Sequence, residues 1–166
     1  MKAILERRSI RKYTDQQVPP EIVKELLEAA MSAPSAGNSQ PWHFIIITDR
    51  KILDEIPAIH EYSKMLKEAP LAIMVCGDES VEKYKGYWVQ DCSAATENIL
   101  IAIQEKGLGG VWLGVYPKQD RIAALRKLLG IPESIIPFSI VSIGYPAEQK
   151  PPANRFDINK IHTNKW

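Results

Sequence analysis

The chain has 166 residues, of which 45% are hydrophobic and 25% charged, with a formal net charge of +1. That is one domain's worth, long enough to bury about 70% of the surface its unfolded chain would expose. So even a balance argues against a general nucleic-acid or membrane-surface role, which a clear basic excess would mark, and no run approaches the roughly 20 apolar residues of a bilayer span.

The first ten residues hold three basic groups and no long apolar run, so no signal peptide is read and the cytoplasm is the expected location. Met1 to Arg8 reads as a short helix and Thr14 to Val18 as a turn. Pro19 and Pro20 then open a helix at the position where a missing N–H costs nothing. Ile22, Val23, Leu26, Leu27 and Ala30 give that helix one apolar face at helical spacing, and Pro34 ends it. Trp42 to Thr48 reads as a strand, Asp49 to Ile56 as a helical turn, and 57–68 as a loop with a short helix.

Leu71 to Cys76 is six apolar residues in a row, a buried strand closed by Gly77 and Asp78. The longest helix is expected from about Lys83 to Lys106, with Cys92, Ala95, Ile99, Ala102 and Ile103 along one face and Gly107 as its cap. Gly109 to Val115 reads as a third strand, Lys118 to Leu129 as a helix stopped by Gly130, and Pro137 to Gly144 as a fourth strand. The tail from Tyr145 holds three prolines and little core pattern until Phe156 and Ile158. It reads as an extended arm that packs on another subunit. Cys76 and Cys92 lie in apolar surroundings without metal-ligand spacing and are expected to be buried free thiols.

Arg7, Arg8, Ser9 and Arg11 place three guanidinium groups and a hydroxyl within five residues, a set that matches phosphate oxygens. A solvated basic helix end is the plainer reading of the same residues; the neighbouring Ile10 and Tyr13 look core-forming and would fix the cluster in place. Pro34 to Gln40 has no hydrophobe larger than alanine and sits between a helix and a buried strand. Asn38 and Gln40 each offer a donor and an acceptor, as the edge of a pyrimidine ring requires.

The glycines of Gly107-Leu108-Gly109-Gly110 precede a strand and lack the GxGxxG spacing, so a dinucleotide fingerprint is not read there. Gly114, at a strand end, marks a close approach of backbone to a ligand. His43, His60 and His162 have no metal-ligand spacing, and no metal is expected. His43 reads as a hydrogen-bonded structural histidine. Tyr62, Tyr84, Tyr87 and Trp88 make an aromatic middle region, either core or a substrate wall.

The two segments Arg7-Arg8-Ser9-Ile10-Arg11-Lys12-Tyr13 and Pro34-Ser35-Ala36-Gly37-Asn38-Ser39-Gln40-Pro41-Trp42 together resemble the FMN-dependent nitroreductase family. The likeness covers nearly the whole chain. It implies an α+β fold in a single domain over 1–166, three layers with a small mixed sheet of four or five strands covered by helices, and an extended C-terminal arm. It implies a homodimer with FMN at the interface, NADH or NADPH as co-substrate, and a small-molecule acceptor. Arg7, Arg8, Ser9 and Arg11 would hold the phosphate, ribityl chain and pyrimidine side of FMN. Pro34, Ser35, Ala36, Asn38 and Gln40 would line the flavin, coming from the partner subunit.

Leu113 and Gly114 would lie beside the ring, with the Gly114 N–H directed at flavin N5. Arg155 would reach the phosphate from the tail, although Ala153 stands where some relatives have a second basic residue. The hydride would then pass from NAD(P)H through flavin N5 to a nitroaromatic, quinone or similar acceptor in ping-pong order, with no catalytic side chain required. The rival readings are a flavin-binding sensor or carrier without turnover, and a specialised relative that dehalogenates a substrate or fragments flavin. The latter would need a substrate lid from residues 57–90.

Overall fold

A computed structural model describes residues 1–166. Helix α1 (Lys2–Glu6) leads into an extended segment, then α2 (Pro20–Met31), strand β1 (Trp42–Ile47), α3 (Arg50–Ile59), β2 (Leu71–Asp78), α4 (Trp88–Glu105), β3 (Gly109–Gly114), α5 (Gln119–Leu129) and β4 (Ile135–Gly144). The four strands form one sheet in the order β1-β2-β4-β3, so β1 and β3 are its edges.

Every strand pair is antiparallel. The sheet is therefore not mixed as the resemblance implied. The one parallel pairing is an isolated bridge from Ser9 to Gly110 at the outer edge of β3. The reason lies in the connections. Between β1 and β2 the chain passes through α3 and a 3-10 turn (Lys64–Lys67) and returns to the end it left, which pairs Ile47 with Ala72.

β2 is buried over almost its whole length because both its faces are covered. Leu71, Ile73 and Val75 turn to one side and join Leu26, Ala30, Cys92, Ala95 and Ile99 from α2 and α4. Ala72, Met74 and Cys76 turn to the other and join Leu53, Ile56, Ile122 and Leu125 from α3 and α5. The period-2 alternation of the strand thus feeds two cores, giving three layers. Cys76 and Cys92 are unbridged and buried, and burial pushes the Cys76 thiol up to about 12.

Several boundaries differ from the sequence reading. α2 ends at Met31, before Pro34, where the Ser32 hydroxyl donates back to Glu28 O at 2.7 Å. α3 runs through Pro57 to Ile59, two residues past the proline, although Pro57 has no N–H to give to Leu53 O. α4 starts five residues later than Lys83 because Gly86 takes φ +89° and breaks the helical path. The Glu82 carboxylate then accepts from the Gly86 and Trp88 N–H groups and caps the helix start. The Gly107 and Gly130 stops do lie where the sequence puts them, at φ +70° and +64°.

β4 holds a bulge: Val75 faces Ser139 while Cys76 faces Pro137, so Phe138 is unpaired. That turns Phe138 toward the α4 side, where it meets Trp88 and Trp112 edge-on. The tail also differs. Its first part does not leave the chain but runs back along residues 8–14, where Thr14 N–H donates to Tyr145 O and Ala147 N–H to Lys12 O, both at 2.9 Å. Beyond it the arm is exposed, Phe156 by 82% and Ile158 by 64%.

Candidate functional site

Gly114 ends β3 opposite Ser139, and the next amide, Val115 N–H, donates to Phe138 O at 3.1 Å. That pattern makes Gly114 and Ser139 a non-hydrogen-bonded pair, so the N–H and C=O of Gly114 point away from β4, off the free edge of the sheet. A Cβ placed on Gly114 would meet no atom within 4 Å. Backbone donor and open space therefore coincide. They face a cavity of about 530 Å³ lined by Arg11, His60, Tyr62, Trp112, Leu113 and Arg121 among others.

Two side chains hold the outward carbonyl of Gly114. His60 Nε2 lies 2.9 Å from it, and Arg121 Nη1 donates to it at 3.2 Å. A carbonyl only accepts, so His60 carries its proton on Nε2. Its Nδ1 accepts from Tyr62 N–H at 3.3 Å, which completes a neutral imidazole. Burial lowers the His60 pKa and keeps that neutral form, and the nearby Arg121 charge acts the same way. Arg121 is itself braced by Glu61 at 3.4 Å and stands over the Tyr62 ring.

Arg7, Arg8, Ser9 and Arg11 lie along the outer side of β3, fixed by the Ser9–Gly110 bridge and by Ile10 N–H donating to Gly110 O at 3.0 Å. An extended chain sends neighbouring side chains different ways, and the cluster divides accordingly. Arg7 and Arg8 line a cavity of about 460 Å³ with Arg155 from the tail. Arg7 is paired with Glu97 at 3.6 Å, and Arg8 Nε donates to Pro151 O at 2.7 Å. Ser9 offers its carbonyl to Lys150 Nζ. Arg11 turns into the Gly114 cavity, where its guanidinium has no hydrogen-bond partner in the chain; only its backbone N–H is used, by Glu148 at 2.6 Å.

Pro34, Ser35, Ala36, Asn38 and Gln40 lie elsewhere. They precede β1, on the opposite edge of the sheet and three strand spacings, or about 14 Å, from β3. Neither arginine-lined cavity includes them. The loop is built tightly: Gly37, Asn38 and Gln40 all take positive φ, and Gln40 N–H donates to Ser35 Oγ at 3.0 Å. Lys83 Nζ donates to Gly37 O, and Ala36 N–H donates to Asp91 Oδ1 at 3.0 Å. Asp91 is 5% exposed, and its Oδ2 has no partner. The first turn of α4, where it sits, is a favourable place for that charge.

Sequence reasoning passes over His60, Arg121 and Asp91. Asp91 could have been found, since Trp88, Asp91, Cys92 and Ala95 share one buried stripe and a carboxylate on such a stripe needs a donor. For His60 the order of residues holds no signal: its partner Gly114 is 54 positions away. His43 is largely exposed, 3.9 Å from Asp78. Of the aromatic region, Trp88 is core while Tyr62, Tyr84 and Tyr87 stay exposed.

A family model described as the nitroreductase family matches residues 4–62 and 57–145. A protein of Methanothermobacter thermautotrophicus, named by inference as an NADH dehydrogenase/NAD(P)H nitroreductase, is 52% identical over all of this chain and 87% of its own length. An FMN-dependent nitroreductase from Clostridium difficile is 32% identical with a TM-score of 0.92, each chain covered in full. A Desulfovibrio desulfuricans protein solved in complex with FMN is 30% identical with a TM-score of 0.85, covering 99% of this chain and 96% of its own.

Proposed function

The chain belongs to the nitroreductase family, and we propose that it works as an FMN-dependent oxidoreductase carrying a hydride from NAD(P)H to small acceptors such as nitroaromatics or quinones. The observation that carries this reading is the β3 edge at Gly114: an outward N–H, room for a flat ring, and an unpaired guanidinium within one cavity. Bound FMN would supply the two-electron chemistry.

The chain's own residues then bind and orient. Gly114 offers its N–H toward N5, and Leu113 packs beside the ring. Arg11 sets a positive charge by the pyrimidine side, where reduced flavin gathers negative charge. Arg7, Arg8, Ser9 and Arg155 answer to the phosphate and ribityl chain. No side-chain acid or base is needed, and donor and acceptor use the same open face in turn.

The same reading makes the working unit a homodimer. Pro34 to Gln40 stands on the far edge of its own sheet, which supports its serving the flavin of a second copy. Within residues 57–90, Met65, Leu66 and the run 71–77 are core, which leaves Tyr62 and the exposed stretch 79–87 for any lid; so short a cover favours an open pocket and broad acceptance over a dehalogenating or flavin-fragmenting relative.

The test is an anaerobic absorbance spectrum of the purified protein with FMN, before and after NADH or NADPH. A flavin band that bleaches is the expected outcome, and the faster nucleotide is the preferred donor. Bound flavin that stays oxidised with both would mark a carrier or sensor. No flavin binding at all would end the reading.

A further inference from the structure

We infer that His60 and Arg121 are positioning residues for this site: together they clamp the Gly114 carbonyl and so hold the Gly114–Val115 peptide next to the N–H that faces the cavity, which keeps the glycine backbone from turning at the sheet edge. The inference rests on the flavin reading above. Glycine rotates freely about φ and ψ, so a glycine at a free sheet edge does not by itself hold a donor in one direction. Here the two flanking peptides are held separately: the Leu113–Gly114 peptide, which carries the N–H, by the pairing of Leu113 with Ile140, and the Gly114–Val115 peptide by the clamp. Val115 N–H is taken by Phe138 O, and the Gly114 carbonyl is taken by His60 Nε2 and Arg121 Nη1.

The clamp is anchored in turn. His60 is 2% exposed, its Nδ1 is held by Tyr62 N–H, and its backbone N–H bonds to Ile56 O at the end of α3. Arg121 lies in the first turn of α5, with Glu61 on its other side. Two helices on one face of the sheet therefore converge on one peptide. A packing role alone would not require a tautomer-specific donor or a second, charged one.

Arg121 adds a charge as well as a donor. Its guanidinium lines the cavity that Gly114 faces, so it favours a flavin that has gained negative charge on reduction. Neither residue exchanges a proton with substrate in this account.

The test compares His60→Leu, which removes the donor, His60→Gln, which keeps one, and Arg121→Gln, which keeps a donor but loses the charge. Three readouts are taken on the dimer-competent full chain: the Gly114 amide resonance in flavin-free protein labelled at glycine with ¹⁵N, the rate of FMN reduction at saturating NADH, and the flavin midpoint potential. His60→Leu should move the Gly114 resonance and slow reduction about tenfold, and His60→Gln should restore most of the rate. Arg121→Gln should favour the oxidised flavin about tenfold, a fall of about 30 mV for a two-electron couple.

An unmoved Gly114 resonance in His60→Leu would overturn the clamp. So would His60→Leu and His60→Gln slowed alike. A wild-type protein that binds no FMN would sink the functional reading instead, while the amide resonance would still decide the clamp. If His60→Leu does not fold, the pair Arg121→Met and Arg121→Gln puts the same question from α5, and a Gly114 resonance that moves in neither would overturn it.

Discussion

Gly77 and Gly114 both stand near the end of a strand, and their surroundings make them opposites. A Cβ at Gly77 would fall inside the Trp88 indole, whereas one at Gly114 would enter open space. Gly77→Ala should therefore overpack the core and cost about 1–3 kcal/mol in denaturant unfolding. Gly114→Ala should leave unfolding unchanged yet weaken FMN binding in a fluorescence titration, because its methyl takes the ring's place. The arginines separate in the same way. Arg11→Ala should weaken FMN binding and slow flavin reduction, and Arg8→Ala should weaken binding alone. Each loses about 1.5–3 kcal/mol, or roughly tenfold or more in Kd. Unchanged Kd in both variants would remove the cluster from the site.

His60 gives the residue scale its pH dependence. The folded protein lowers its pKa, by burial first, with the hydrogen bond to the Gly114 carbonyl opposing, Arg121 adding to the fall and Glu61 working against it. A group depressed on folding stabilises the fold fully above its unfolded value, about 6.5, and that stability is lost as pH falls through the folded value. Urea midpoints of the wild type should therefore drop relative to His60→Gln between pH 7 and pH 5. Midpoints that stay parallel would show that the imidazole is not held neutral.

At the scale of elements, the fold was legible wherever one local rule decided the outcome. The pair Pro19-Pro20 starts α2, positive φ at Gly107 and Gly130 ends α4 and α5, and the apolar run from Leu71 makes the central strand. It was illegible where two rules competed. Tyr84 and Tyr87 continue a helical-looking pattern back from α4, but Gly86 overrides them and Glu82 caps the later start. Glu82→Ala should therefore fray the first turn of α4 and cost about 1 kcal/mol. Because Asp91 in that turn holds Ala36, hydrogen exchange at Ala36 should quicken too; protection there that is unchanged would uncouple the turn from the loop. The cation and loop motifs could be read from the chain, but the clamp on Gly114 joins α3, β3 and α5 and exists only once they pack.

At the scale of the molecule, the two motif segments pose one problem: they stand on opposite edges of a four-stranded sheet. The homodimer proposed above would solve it, since the loop of one chain could then meet the β3 edge of the other. The arm carries what such a contact needs. Phe156, Ile158, Ile161 and Trp166 are 82%, 64%, 53% and 101% exposed, more apolar surface than a free chain usually leaves to water. The arm's own-chain bonds to residues 8–14 come from Tyr145 to Pro151. A chain ending at Ala153 should therefore still fold and melt cooperatively as a monomer while losing association and the concentration dependence of its melting temperature. Sedimentation equilibrium of the full chain should give twice 18.7 kDa, and the shortened chain should shift toward one copy with a weaker FMN Kd. Because the loss of Arg155 would also weaken Kd, Arg155→Ala in the full-length chain separates charge from assembly. A full-length monomer that binds FMN tightly would mean that one chain builds the whole site, and the Pro34–Gln40 loop would then need another role.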